Sequence, residues 1–378
     1  MAAHITAAAP GGPRYNPALS SAERRNIDNG IWCCNNCGHL VDADDSAYEV
    51  DLLRSWKHEA EQRARRAIAA IAAEGSVAVL EKVLSGHTNY VWDVVVAPDG
   101  RTAVSASNDA TLRVWDLASG LPRHVLTGHE TWVCSADISD NGVLVAAGAA
   151  DGTVRCWQLN TGTQIFELPR AADDAKVAWM PDGGLAVGDS SGTVRVWREH
   201  GAVWELAATH RPHEAAILKI VSIGDEELAT AAADGAAKIW NSGSGEVRVV
   251  LEGHSGDVNS VAVDPTCGLA VTGATDRVVA IWNLQDGSCQ SRLEGHIDTV
   301  WRVALSPGSQ MVASGSGDNT VRLWEPTSGV CLQEIPHTDC VAAVAFSPNG
   351  DRLIVGCDDK NLYIYKMTTA VGGADAQP

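Results

Sequence analysis

Seven aromatic positions recur at nearly constant spacing in this chain: Trp115, Trp157, Trp197, Trp240, Trp282, Trp324 and Tyr365, separated by 42, 40, 43, 42, 42 and 41 residues. A His lies about 28 positions before six of them, at His87, His129, His213, His254, His296 and His337. The unit that ends at Trp197 has lost it. A period held this closely restricts the chain to a repeat architecture, in which each unit covers an apolar face of its neighbour.

Within a unit the texture is all β. In residues 86–120, Val91, Val94 and Val96 mark an apolar strand that ends in the turn Pro98-Asp99-Gly100. Thr102 to Ser107 reads as a second strand, Asn108-Asp109 as a tight turn, Thr111–Trp115 as a third strand and Asp116 to Gly120 as another turn. Short strands divided by Gly, Pro, Asn and Asp at this density indicate antiparallel sheets. Four strands in a unit of about 42 residues make one blade of a propeller, and seven units make seven blades.

Residues 77–366 resemble the WD-repeat family. The resemblance rests on the Gly-His opening, an Asp six residues before the Trp, and the Trp-Asp pair, kept strictly only at Trp115-Asp116. It implies a polar tetrad in which Asp binds His, His contacts Ser or Thr, and that hydroxyl meets the indole N–H. Unit 1 would supply Asp109, His87, Ser105 and Trp115; unit 4, Asp234, His213, Thr230 and Trp240. Unit 5 would supply Asp276, His254, Thr272 and Trp282; unit 6, Asp318, His296, Ser314 and Trp324. Unit 2 has Asp151, His129 and Trp157, with Ala147 in place of the hydroxyl. Unit 7 keeps Asp359 and His337 but carries Val355 and Tyr365. Unit 3 has Ser191 at the Asp position and no His, and is expected to be the loosest blade.

An Asp/His/Ser set invites a hydrolase reading, but a catalytic triad is needed once and this set recurs in register. A repeated network that pairs buried polar groups is structural. After Tyr365 only a tail remains, read as disordered over 367–378, so the last unit lacks an outer strand. Residues 77–84, just before the first Gly-His, are the natural donor, which would remove free sheet edges. In such propellers the loops carrying the Gly-His and the Asp turn share one face. On it the resemblance places Tyr90, Trp92, Asn108, Trp132, Asn259 and Trp301 as contact positions; aromatic anchors are favoured in binding hot spots.

Residues 1–45 follow other rules. The Ala-His-Ile start, Gly-Gly-Pro-Arg-Tyr, Asn29-Gly30-Ile31-Trp32, Cys34-x-x-Cys37, Val41-Asp42 and, beyond them, Leu53-x-x-Trp56-Lys57 resemble the second half of HNH-type modules. The resemblance implies His4 as general base, Asn29 as its orienting partner, and Cys34 and Cys37 as half of a structural zinc site. The other Cys pair would lie before Met1, and Gly38 stands where nuclease versions carry a metal-binding His, so no catalysis is expected. Residues 46–75 then read as an amphipathic helix. Ser46 and Glu49 form a capping box, and Val50, Leu53, Ala60, Ala64, Ala67 and Ile71 form an apolar stripe open to self-association.

Charge narrows the partner. The chain carries a net −19, of which residues 1–75 hold −2 and the remainder −17. Nucleic-acid affinity comes mainly from neutralising phosphates, so a basic protein partner is expected and nucleic acid is not. Seven cysteines are scattered singly and read as free thiols. No run of about 20 apolar residues exists, and the start lacks a secretory pattern; a cytoplasmic location follows. The expected function is a non-catalytic interaction scaffold or sensor without a cofactor. The alternative is an HNH-type nuclease effector of a bacterial defence system, directed by the propeller.

Overall fold

The structure, a computed structural model, describes residues 2–4, 30–32, 77–201, 203–224 and 226–368. The chain divides into two compact units, Met1–Ser76 and Val77–Pro378. In the first, Ala2–His4 pairs antiparallel with Gly30–Trp32. The Cys-containing run and the helix expected over 46–75 lie outside the described residues. So does the tail after residue 368, although Met367 still belongs to a strand.

The second unit consists of seven four-stranded antiparallel sheets. Blade 1 runs Val91–Val96, Thr102–Ser107, Leu112–Asp116 and Pro122–Leu126. The first strands of the following blades are Val133–Ile138, Lys176–Trp179, Ile217–Ser222, Val258–Asp264, Val300–Leu305 and Val341–Phe346. Each first strand packs on those of the adjacent blades, and that of blade 7 returns to blade 1, closing a ring. Blade 7 is completed by Arg352–Cys357, Asn361–Met367 and Ala78–Ser85, the last supplied from the start of the unit and paired from Ala78↔Met367 to Ser85↔Asn361. The donated strand thus begins one residue later than the sequence suggests.

The core lies between blades rather than within them. There are seven apolar clusters among the described residues, and each joins two consecutive blades. Trp157 of blade 2, for example, packs with Val104, Leu112 and Leu126 of blade 1. Trp115 of blade 1 packs with Ile354 and Leu362 of blade 7 and with Leu84 of the donated strand. Close approach demands small residues on the second strand. A Cβ on Gly273, Gly315 or Gly356 would fall 2.6–2.7 Å from a valine methyl of the next blade's first strand. Fully burying a side chain of this size is worth about 2–3 kcal/mol, so the ring is held mainly by these interfaces.

Polar networks reinforce four blades. In blade 1, His87 Nδ1 lies 2.8 Å from Asp109, His87 Nε2 lies 2.7 Å from Ser105 Oγ, and Trp115 Nε1 donates to the same hydroxyl at 2.8 Å. Blade 4 repeats this through Asp234, His213, Thr230 and Trp240. Blade 5 does so through Asp276, His254, Thr272 and Trp282, and blade 6 through Asp318, His296, Ser314 and Trp324. Burial holds His213, His254 and His296 below the ordinary imidazole range despite their carboxylate partners. Both ring nitrogens of each of these histidines are committed to hydrogen bonds within the blade.

The other three blades differ. In blade 2, His129 Nδ1 meets Thr153 Oγ1 at 3.0 Å, and its Nε2 is buried without a partner. In blade 7, His337 Nε2 meets the Tyr365 hydroxyl at 3.2 Å, while Asp359 accepts from Thr338 and Tyr363. Blade 3 substitutes a buried Asp189, which pairs with Arg195 at 2.5 Å and accepts from Ser191 at 2.6 Å. Its Trp204 also stacks on Phe166 of blade 2 at 4.5 Å and meets Trp179 edge-on at 5.8 Å.

Candidate functional site

One irregularity recurs at the head of six first strands and builds the site. In blade 1, Val91 pairs with Ser107 but Asp93 pairs with Ala106, so Trp92 is the extra residue of a β-bulge. The same slip leaves Cys134, Leu218, Asn259, Trp301 and Ala342 unpaired in blades 2, 4, 5, 6 and 7. A bulge re-aims the side chain it frees. All six line one cavity of about 490 Å³, together with Trp132, Ala150, Asp173, Asp174, Lys176 and Arg302.

The cavity sits at the end of the ring that carries the inter-blade loops. There, turn residues donate backbone bonds into those loops: Asn108 to Tyr90, Ala150 to Trp132, Gly317 to Thr299 and Asp358 to Cys340, at 2.9–3.0 Å. Of the six expected contact positions, Trp92, Trp132, Asn259 and Trp301 line the cavity. Tyr90 and Asn108 do not, although they lie in this same cluster of loops, with Tyr90 42% exposed. Trp132 is 49% exposed and Trp301 37%, high values for indoles. Asn259 is buried and donates to the Val300 carbonyl at 3.0 Å.

Beside the cavity, charges cross the ring's centre. Asp93 of blade 1 is buried and meets Lys219 of blade 4 at 3.1 Å and Arg302 of blade 6 at 3.4 Å. Burial alone would raise the Asp93 carboxyl, but Arg302 and Lys219 outweigh it and hold the group below its usual range. Burial lowers the Lys219 ammonium in spite of Asp93. A second carboxyl, Asp137, is pushed up by burial to about 6. Breaking one arm of this triad leaves an uncompensated buried charge, the costly case for ion pairs. Arg302 also reaches the Trp92 carbonyl at 3.2 Å, tying the triad to the cavity wall. The Nε of Arg302 and the Nε1 of Trp92 are both buried and without a hydrogen-bond partner.

The sequence reading missed the triad of Asp93, Lys219 and Arg302. A signal was there: each occupies the third position of its apolar first strand, just after the bulge. The clustered cysteines Cys33, Cys34 and Cys37 lie outside the described residues. Of the scattered ones, all seven are free, but Cys267 and Cys289 are exposed rather than packed in the core.

Five segments, 78–116, 120–158, 245–283, 287–325 and 329–366, match the model of the WD domain, G-beta repeat, and together cover more than half of the chain. The chain belongs to the WD-repeat family. Each matched segment begins with one blade's outer strand and ends with the next blade's third strand, so the sequence repeat straddles two blades. That staggering is what lets Ala78–Ser85 complete blade 7. The matches all lie after residue 77 and give no support to the HNH-type resemblance of residues 1–45. The chain is also similar to Cross-pathway control WD-repeat protein 2 of Flammulina velutipes, 47% identical over 47 residues, 12% of this chain and 15% of that protein. It therefore spans only a small part of that relative's length. A WD-repeat propeller with a WD-repeat relative fits a protein-interaction scaffold.

Proposed function

We propose that this protein is a non-catalytic scaffold whose partner docks on the loop-bearing face of the propeller, anchored by Trp92, Trp132 and Trp301. The observation that carries this reading is the cavity itself. Six bulges place their extra side chains in it, and two half-exposed indoles stand at its wall. Aromatic side chains around a concave, largely apolar site are the usual anchors of an interface. The net charge of −19 supports a basic protein partner over nucleic acid. The seven free thiols among the described residues support a reducing, cytoplasmic setting. No helix of the described residues is long and apolar enough to cross a membrane.

The test is capture of partners from cell extract by the full chain and by a variant carrying Trp92→Ala, Trp132→Ala and Trp301→Ala. Loss of the captured set, with an unchanged unfolding midpoint, is expected. A captured set that survives the triple change intact would place the docking surface elsewhere.

A further inference from the structure

The rim of the cavity carries a pattern that the net charge does not reveal. Every loop leading into blades 2 to 7 bears an exposed carboxylate: Glu130, Asp173, Glu214, Asp257, Asp298 and Asp339. The loop into blade 1 has Asn89 and Tyr90 instead. Arg170 pairs with Asp173 at 3.3 Å and Arg211 with Glu214 at 3.2 Å, so blades 3 and 4 are locally neutralised. Glu130, Asp257, Asp298 and Asp339 make no ion pair among the described residues.

The pattern is strongest between blades 6 and 7. Asp298, Asp339 and Asp358 all bear on the Cys340 thiol, which burial and then these carboxylates push above its ordinary range. Asp358 itself is raised to about 6, by burial first and Asp339 next, and its Oδ1 is buried with no hydrogen-bond donor. Trp301 stands beside this group. A Cβ on Gly317 would lie 3.2 Å from the Asp298 carboxyl carbon and 3.4 Å from Trp301 Nε1, so acid and indole flank the same backbone point. The cavity wall nearby has the opposite need: Arg302 Nε and Trp92 Nε1 are donors lacking an acceptor.

One ligand chemistry answers both. A cationic side chain is attracted to an indole and to unpaired carboxylates, while the backbone carbonyls of the same segment accept from buried N–H groups. An acidic segment would satisfy the wall and be repelled by the rim. We propose that the element received by this face is a basic, Lys- or Arg-bearing peptide segment of a partner protein. One cation sits among Trp301, Asp298, Asp339 and Asp358, and the segment's carbonyls turn toward Arg302 and Trp92. The proposal rests on the reading of this face as the docking surface.

The experiment is fluorescence anisotropy with the full chain and two labelled peptides of equal length, one of alternating Lys and Ala, the other of alternating Glu and Ala. The basic peptide is expected to bind and to weaken as salt rises from about 50 to about 300 mM, and the acidic one not to bind. Asp298→Asn with Asp339→Asn, both exposed positions, should weaken the basic peptide about ten-fold. Trp301→Ala should weaken it about three-fold at either salt concentration, which diffuse charge attraction alone would not produce. Equal or tighter binding of the Glu peptide, or indifference of the basic peptide to these changes, overturns the inference. If the basic peptide fails while partner capture still depends on the tryptophans, the charge assignment falls and the docking face stands. If capture ignores the tryptophans, the face is wrong and the inference goes with it.

Discussion

Blades 6 and 2 share strand pattern, length and repeat tryptophan, and differ in how they satisfy their polar groups. In blade 6, Asp318 accepts from His296, from Thr320 and from the Ile297 N–H, and Ser314 links His296 to Trp324. In blade 2, Asp151 serves only its own turn through Thr153, and Ala147 leaves His129 Nε2 unanswered. Yet Trp157 is as buried as Trp324, each 1% exposed, and both blades sit between full apolar clusters. Burial between blades therefore makes the ring, and the tetrad adds to a blade already assembled. Blade 3 extends the lesson: with no His at the tetrad position, it uses Asp189–Arg195 and an aromatic stack shared with blade 2.

The comparison breaks or sharpens through substitutions read as urea unfolding midpoints. Trp324→Ala should be the most damaging, about 3–5 kcal/mol, because it opens a cavity and strands the Ser314–His296 chain. Trp157→Ala should cost nearly as much if burial dominates; a markedly smaller loss in blade 2 would mean that the network carries the ring. Asp318→Ala should cost about 2–3 kcal/mol, because it leaves buried donors unpaired. Asp151→Ala should cost under about 1 kcal/mol, and equal losses at the two aspartates would erase the distinction. The smallest effect is a gain. Ala147→Ser should stabilise by about 0.5–1 kcal/mol by giving His129 Nε2 a hydroxyl partner. No change there would show that blade 2 has relaxed around its missing bond.

The spacing of tryptophans and histidines made the blade count legible, because burial between blades repeats the same residues at the same register. The tetrad positions could be read for the same reason, as could the donated strand, since Tyr365 left the last sheet one strand short. The bulges could not be read. A one-residue slip leaves no mark on an apolar run such as Val91–Val96, so nothing announced that Trp92, Cys134 and Ala342 meet in one cavity. Nor could the Lys219–Asp93–Arg302 triad be paired from sequence, since its members are up to 209 residues apart and meet only across a closed ring. Blade 3's Asp189 was overlooked because Ser191 holds the position where the repeat keeps its Asp. The rim carboxylates were visible one by one, but their common face depends on loops that only the ring aligns.

Ala78–Ser85 is the earliest strand of the propeller along the chain, yet its sheet neighbour, Asn361–Met367, is the last. During synthesis every other blade can zip hairpin by hairpin as it emerges. This strand must wait, unpaired, until nearly 300 further residues have been made. Loop-closure entropy grows only slowly with length, so the wait costs time more than stability. Blades 1 to 6 can therefore be present before the propeller is a ring. The pairing of Ala78 with Met367 is what gives the last blade its fourth strand.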